Sequence, residues 1–86
     1  MLTTFNEPGQ EFAGGIRFTM MDGVIPVNCW ITREALDDIE DGKPSQELRI
    51  ARFERHRFMI ERVAGQKYVG GERAPIVMTF DLETSG

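Results

Sequence analysis

With 86 residues the chain has room for one small domain, residues 1–86, and 41% hydrophobic with 28% charged residues is an ordinary globular composition. The net charge of −4 weighs against a generic nucleic-acid binder, and no apolar run approaches the roughly 20 residues that span a bilayer. A single cysteine, Cys29, rules out an internal disulfide and fits a reducing compartment. The opening MLTTFNEPGQEF has neither the basic nor the apolar region of a secretory signal, so the cytoplasm is the expected setting.

Residues 1–14 are weakly patterned and broken by Pro8, Gly9 and Gly14. They predict a loosely ordered lead-in in which Thr3 to Phe5 adds at most a short edge strand. From Gly15 onward Ile16, Phe18 and Met20, then Val27, Cys29 and Ile31, alternate with more polar neighbours on either side of Asp22-Gly23. This predicts a β-hairpin. With Asp22-Gly23 as a two-residue turn, Met20 faces Ile25, Phe18 faces Val27 and Ile16 faces Cys29, and all the apolar side chains share one face. Pro26 would then sit opposite Thr19 at a hydrogen-bonded position, where it has no N–H to offer; either a wider loop or a bulge would accommodate it.

Thr32 is a good N-cap for a short helix from Arg33 to Asp41 with Ala35, Leu36 and Ile39 inward. Gly42 and Pro44 end it. A second, long helix is predicted from about Ser45 to Lys67, since at about 100° per residue Phe53, His56, Ile60, Val63 and Ala64 fall in one stripe with Met59 at its margin. Glu54, Arg55, Glu61, Arg62, Phe58 and Ile50 fall on the outer side. Glu54 can reach Arg57 at i+3, and Arg57 can reach Glu61 at i+4. The loop VGGERAP follows, and Ile76, Met78, Phe80 and Leu82 predict a closing strand before the polar tail 83–86. The expected fold is therefore α+β: a small two-layer domain of order β-β-α-α-β, with an antiparallel sheet covered on one face by two helices.

Two long patterns carry a resemblance. F-x-M-x-D-G-x5-C-x-I-T-R-E-A-L from Phe18 to Leu36, and F-x3-R-x2-I-E-x2-A-x2-K-Y from Phe53 to Tyr68, followed by a strand around Ile76 to Leu82, resemble the small bacterial proteins grouped as domain of unknown function 1488. The likeness covers about Gly15 to Leu82, with Pro26 and the N-terminus as departures. It implies a compact α+β fold in a stand-alone cytoplasmic protein and carries no activity, cofactor or catalytic residue to transfer.

The residues themselves offer few chemical candidates. His56 is the obvious acid–base group, but on an apolar stripe a histidine is usually packed and hydrogen-bonded. Cys29 also points inward, so a Cys29–His56 dyad is geometrically conceivable, whereas a buried cysteine is far more often a small hydrophobe. Asp37, Asp38, Glu40 and Asp41 diverge around a helix rather than converging on a cation, and one histidine with one cysteine cannot make a four-ligand zinc site. No cofactor is expected, and no catalytic constellation is visible.

Charge and exposed aromatics point elsewhere. Residues 45–69 hold six bases against three acids, a local +3; the remaining four bases and eleven acids leave the body at −7. The candidate interaction surface is Trp30 and Arg17, with Thr19 and Val77, on the outer sheet face, and Arg55, Phe58 and Arg62 on the back of the long helix. Coverage of Trp30 by Phe5 or Phe12 is the plainer alternative. The expected function is a non-enzymatic accessory or interaction protein acting through protein–protein contacts, with self-association included. The alternative is a nucleic-acid-binding module on the arginine-bearing helix face.

Overall fold

A computed structural model describes residues 1–39 and 49–84. Its elements run β1 (Leu2–Thr4), β2 (Gln10–Phe12), β3 (Gly15–Asp22), β4 (Ile25–Ile31), α1 (Arg33–Asp38), α2 (Arg49–Arg55), α3 (Arg57–Val69), β5 (Ile76–Val77) and α4 (Thr79–Thr84). This is a small α+β domain. β1 and β2 both pair antiparallel with β3, β3 with β4, and β5 joins β4 in parallel, so the sheet is mixed rather than wholly antiparallel.

The hairpin forms where the alternation places it, but its register lies two residues from the expected one. Asp22 pairs with Ile25, Met20 with Val27, Phe18 with Cys29 and Ile16 with Ile31, so Gly23-Val24 is the turn. Gly23 takes φ +63° at the first central position, the requirement of a type II′ turn. Because the slip is by two, the apolar residues stay on the same face. It also resolves Pro26, which now faces Met21 between the hydrogen-bonded pairs, its missing N–H turned away from β3.

The inward side chains of β3 and β4 meet the helices in one core. Ile16, Ile31, Leu36, Phe53, Ile60 and Val77 are completely buried, and the Phe18 and Phe53 rings lie 5.1 Å apart. Thr32 caps α1 as expected, its hydroxyl accepting from the Ala35 N–H at 3.1 Å. The described part of α1 ends at Asp38, and Glu40, Asp41 and Ser45 lie outside the described residues.

The predicted single long helix is two. His56, at φ −109° and ψ 13°, sits in the bridge region between α2 and α3, its N–H shared between the Arg52 and Phe53 carbonyls at 3.2 and 3.1 Å. Phe53 and Ile60 are both fully buried on either side of the break, while His56 itself is only half-buried and not a core residue. A wheel drawn at a constant angle cannot register such a local departure from helical dihedrals.

The closing strand is shorter than its alternation suggests. Only Ile76 and Val77 pair with β4; the Met78 N–H then donates to Asp81 Oδ2 at 2.8 Å, the back-reaching half of a capping box that starts α4. Val77, expected on the outer sheet face, is completely buried. At the other end of the chain β1 is an edge strand close to the one anticipated, and β2 is an additional one.

Candidate functional site: a groove between α3 and β1

The five candidate surface residues separate into three places. Arg17 and Trp30 are directly opposite one another on β3 and β4, on the uncovered sheet face. The neighbouring strand β2 meets them through Phe12: the Trp30 Nε1–H donates to the Phe12 carbonyl at 3.2 Å, and the Arg17 guanidinium lies 5.0 Å from the centre of the Phe12 ring. Trp30 is thus half-buried, its polar tip satisfied by the Phe12 carbonyl. Arg55 is exposed on α2, and Phe58 and Arg62 are exposed on α3 beyond the His56 break.

Phe58 and Arg62 border the best-defined concavity, a groove of about 680 Å3. Met1 to Thr4 and Met20 form its strand wall; Phe58, Glu61, Arg62, Gly65, Gln66 and Val69 form its helix wall. Its rim is strongly apolar, with Met1 91%, Phe58 84% and Val69 75% exposed. Exposed apolar side chains lining a concavity are the kind of surface that can take a partner.

Two features hold the walls together. Glu61, expected on the solvent side, is only 6% exposed, and its carboxylate accepts from the Thr4 hydroxyl at 2.7 Å and from Arg57 Nε at 3.0 Å. The expected Glu54–Arg57 and Arg57–Glu61 pairs are both present, and the guanidinium also donates to the Phe5 carbonyl at 3.0 Å and lies 5.3 Å from the Phe53 ring centre. The sequence signal for this clamp was the i+3/i+4 spacing; what it omitted was the N-terminal segment that buries it.

At one end of the groove Asp22 binds the Met1 ammonium at 3.2 Å and accepts from the Tyr68 hydroxyl at 2.6 Å. The hydrogen bond from Tyr68, then that from the ammonium, holds the Asp22 carboxyl below its ordinary value, and the same bond raises Tyr68. The depressed carboxyl stabilises the fold above the ordinary value of 3.8, a contribution lost as pH falls through the lower folded value. The raised phenol stabilises below the ordinary 10.0 and loses its contribution as pH rises through the higher folded value. Asp22→Asn is therefore expected to flatten both limbs of a plot of urea midpoint against pH; limbs parallel to those of the unmutated protein would mean that the contact contributes nothing.

Two further titratable groups are held by the fold. Lys67 binds Asp81 at 2.6 Å and Glu72 at 3.2 Å, tying α3 to α4. Cys29 is 2% exposed, its thiol pushed up to about 12 by burial and then by the nearby Glu61 charge, and its Sγ is aimed at the Val27 carbonyl. Such a thiol is protonated at neutral pH and is not a nucleophile. Among the described residues no three His, Cys, Asp or Glu side chains are grouped to hold a metal, and no helix is long and apolar enough to cross a membrane.

A family model described as a protein of unknown function (DUF1488) matches residues 4–78. No curated protein and no solved structure matches the chain.

Proposed function

The chain belongs to the DUF1488 family, whose description carries no activity, and on that premise we propose that it is a small non-enzymatic interaction protein whose contact surface is the α3–β1 groove. The observation that carries this is the groove's composition: an open strand edge on one wall and exposed Phe58 and Val69 on the other. The element it accepts is a polypeptide that pairs with the edge of β1 and lays apolar side chains over α3, main-chain bonds supplying affinity and side-chain pockets selecting the partner. A cytoplasmic setting in a bacterial cell, with Cys29 as a free thiol, belongs to the same reading.

The nucleic-acid alternative gains no specific support. Of the arginines on α2 and α3, Arg52 is buried and Arg57 is engaged by Glu54, Glu61 and Phe5, which leaves a sparse phosphate-binding face.

A photo-crosslinking side chain at position 58, compared with one at Val24, which is 90% exposed but away from the groove, tests the proposal in the intact cell. The expected result is a recurrent protein adduct from position 58 and none from position 24. Equal labelling from both, or none from position 58, overturns it.

A further inference from the structure

We propose that the groove's occupant is a second copy of this chain, seated by antiparallel packing of α3 on α3 about a two-fold axis. This rests on the reading of the groove as an interaction surface and commits it to one partner.

The outward stripe of α3 is Phe58, Arg62, Gly65 and Val69, all bordering the groove. Its spacings are four, three and four residues, the alternation that forms a helix–helix seam. The order is also symmetric about its own midpoint. When the stripe is laid antiparallel on a copy of itself, Phe58 meets Val69 of the second copy, and Arg62 meets Gly65. A two-fold contact requires this kind of self-complementarity, in which one patch serves both sides.

Gly65 is the second observation. It sits inside a thirteen-residue helix, where glycine costs about 1 kcal/mol relative to alanine. A Cβ built on it meets nothing within 4 Å, so packing within the chain does not require a glycine. In the antiparallel seam it does matter: the aliphatic stem of Arg62 from the second copy crosses the gap, and its guanidinium emerges beside the Gln66 amide. Arg62 has no hydrogen-bond or ion-pair partner among the described residues, so it is available for that role.

The strand wall fits the same axis. The Trp30 N–H donates to Pro75 and the Thr32 N–H to Val77, so the odd-numbered residues of β4 exchange bonds with β3. Met21 then turns its N–H and C=O towards its partner Thr3, which leaves those of Leu2 and Thr4 directed to the open edge. Two such edges pair antiparallel about a two-fold, extending the sheet beneath the paired helices.

The area sets the expected strength. A standard interface takes about 800 Å2 from each partner, or roughly one-seventh of this chain's 5630 Å2 surface. Phe58 contributes on the order of 200 Å2, and eleven groove residues fall short of the usual 20–30 a side. The dimer is therefore a weak one, visible only on concentration.

Sedimentation equilibrium from about 10 μM to about 1 mM covers weak association of this kind. The mass is expected to rise from 9.8 kDa towards twice that value. Phe58→Ser and Gly65→Leu are each expected to weaken self-association at least tenfold while leaving the melting temperature unchanged or higher, and Val24→Ser to leave both unchanged. For register, a mixture of the single variants Phe58→Cys and Val69→Cys is expected to cross-link faster than either alone, since within one helix these positions stand about 16 Å apart. A mass of 9.8 kDa at every concentration, or a dimer indifferent to both groove variants, overturns the proposal. In that event an adduct from position 58 to a different protein keeps the interaction reading, and no adduct removes both.

Discussion

Replacing Gly15 by alanine is expected to lower the unfolding free energy by about 3 kcal/mol, the upper end of the usual overpacking range, because the groups it meets cannot move aside. A Cβ at this position stands 2.2 Å from the Ile31 carbonyl oxygen and 2.8 Å from Trp30 Nε1. The first is backbone inside the β3–β4 ladder; the second is an indole held by its bond to Phe12. Relief would have to separate β3 from β4 or displace Trp30 and break its bond to β2. A domain of 86 residues has only about 4–13 kcal/mol of net stability, and each kcal/mol moves the melting temperature by about 4–8 °C. Two other glycines calibrate the result. Gly23→Ala meets no atoms and incurs only left-handed backbone strain, about 1–2 kcal/mol; Gly65→Ala meets none and gains helix propensity. Urea melts should rank Gly15 far below Gly23, and Gly23 below Gly65. A Gly15→Ala protein within about 1 kcal/mol of its parent would refute the tight crossing.

The same residues explain which features were legible in the sequence. Period-two alternation placed Ile16, Phe18, Val27 and Cys29 on one buried face, because a slip of two residues preserves parity; it could not choose the register, which turns on whether Gly23 comes first or second in the loop. Thr32 was legible as a cap because its bond is local. The break at His56 was not, because no glycine or proline marks it and the departure is confined to one residue's dihedrals. The pattern at Met78, Phe80 and Leu82 fits a strand and a short helix equally, and Asp81 decides between them through its bond to the Met78 N–H and its pairing with Lys67. Of the candidate surface, Phe58 and Arg62 were legible as outward-facing. The groove itself was not, since its second wall comes from residues some 55 positions earlier whose weak pattern gave no sign of where they would pair.

Arg57→Ala is expected to cost about 3–5 kcal/mol, the range for removing one partner of a buried pair. Its Nε and one terminal nitrogen are taken by Glu61 and Glu54, the other by the Phe5 carbonyl, and its plane lies over Phe53. Once it is gone, the Glu61 carboxylate, 6% exposed in the intact protein, keeps the Thr4 hydroxyl as its one remaining bond among those described. An unpaired buried charge is the costly outcome, so the loss should exceed that of Glu61→Gln, whose amide oxygen still accepts from Arg57 Nε while its NH2 can donate to the Thr4 hydroxyl oxygen. Arg57→Met combined with Glu61→Leu removes both charges and fills the volume; it should recover most of the stability lost in the single variant. A double-mutant cycle on Arg57→Ala and Glu61→Ala measures the coupling, expected at about 1–3 kcal/mol, and a value near zero would show that the clamp is solvated and idle. The consequence extends beyond stability. Arg57 and Glu61 are the side chains that fasten Thr4 and Phe5 to α3, so the recovered double variant keeps the core and loosens β1. Amide exchange at Leu2 to Thr4 should then accelerate without a matching change in β3 or β4, and any contact that depends on the strand wall of the groove should weaken with it.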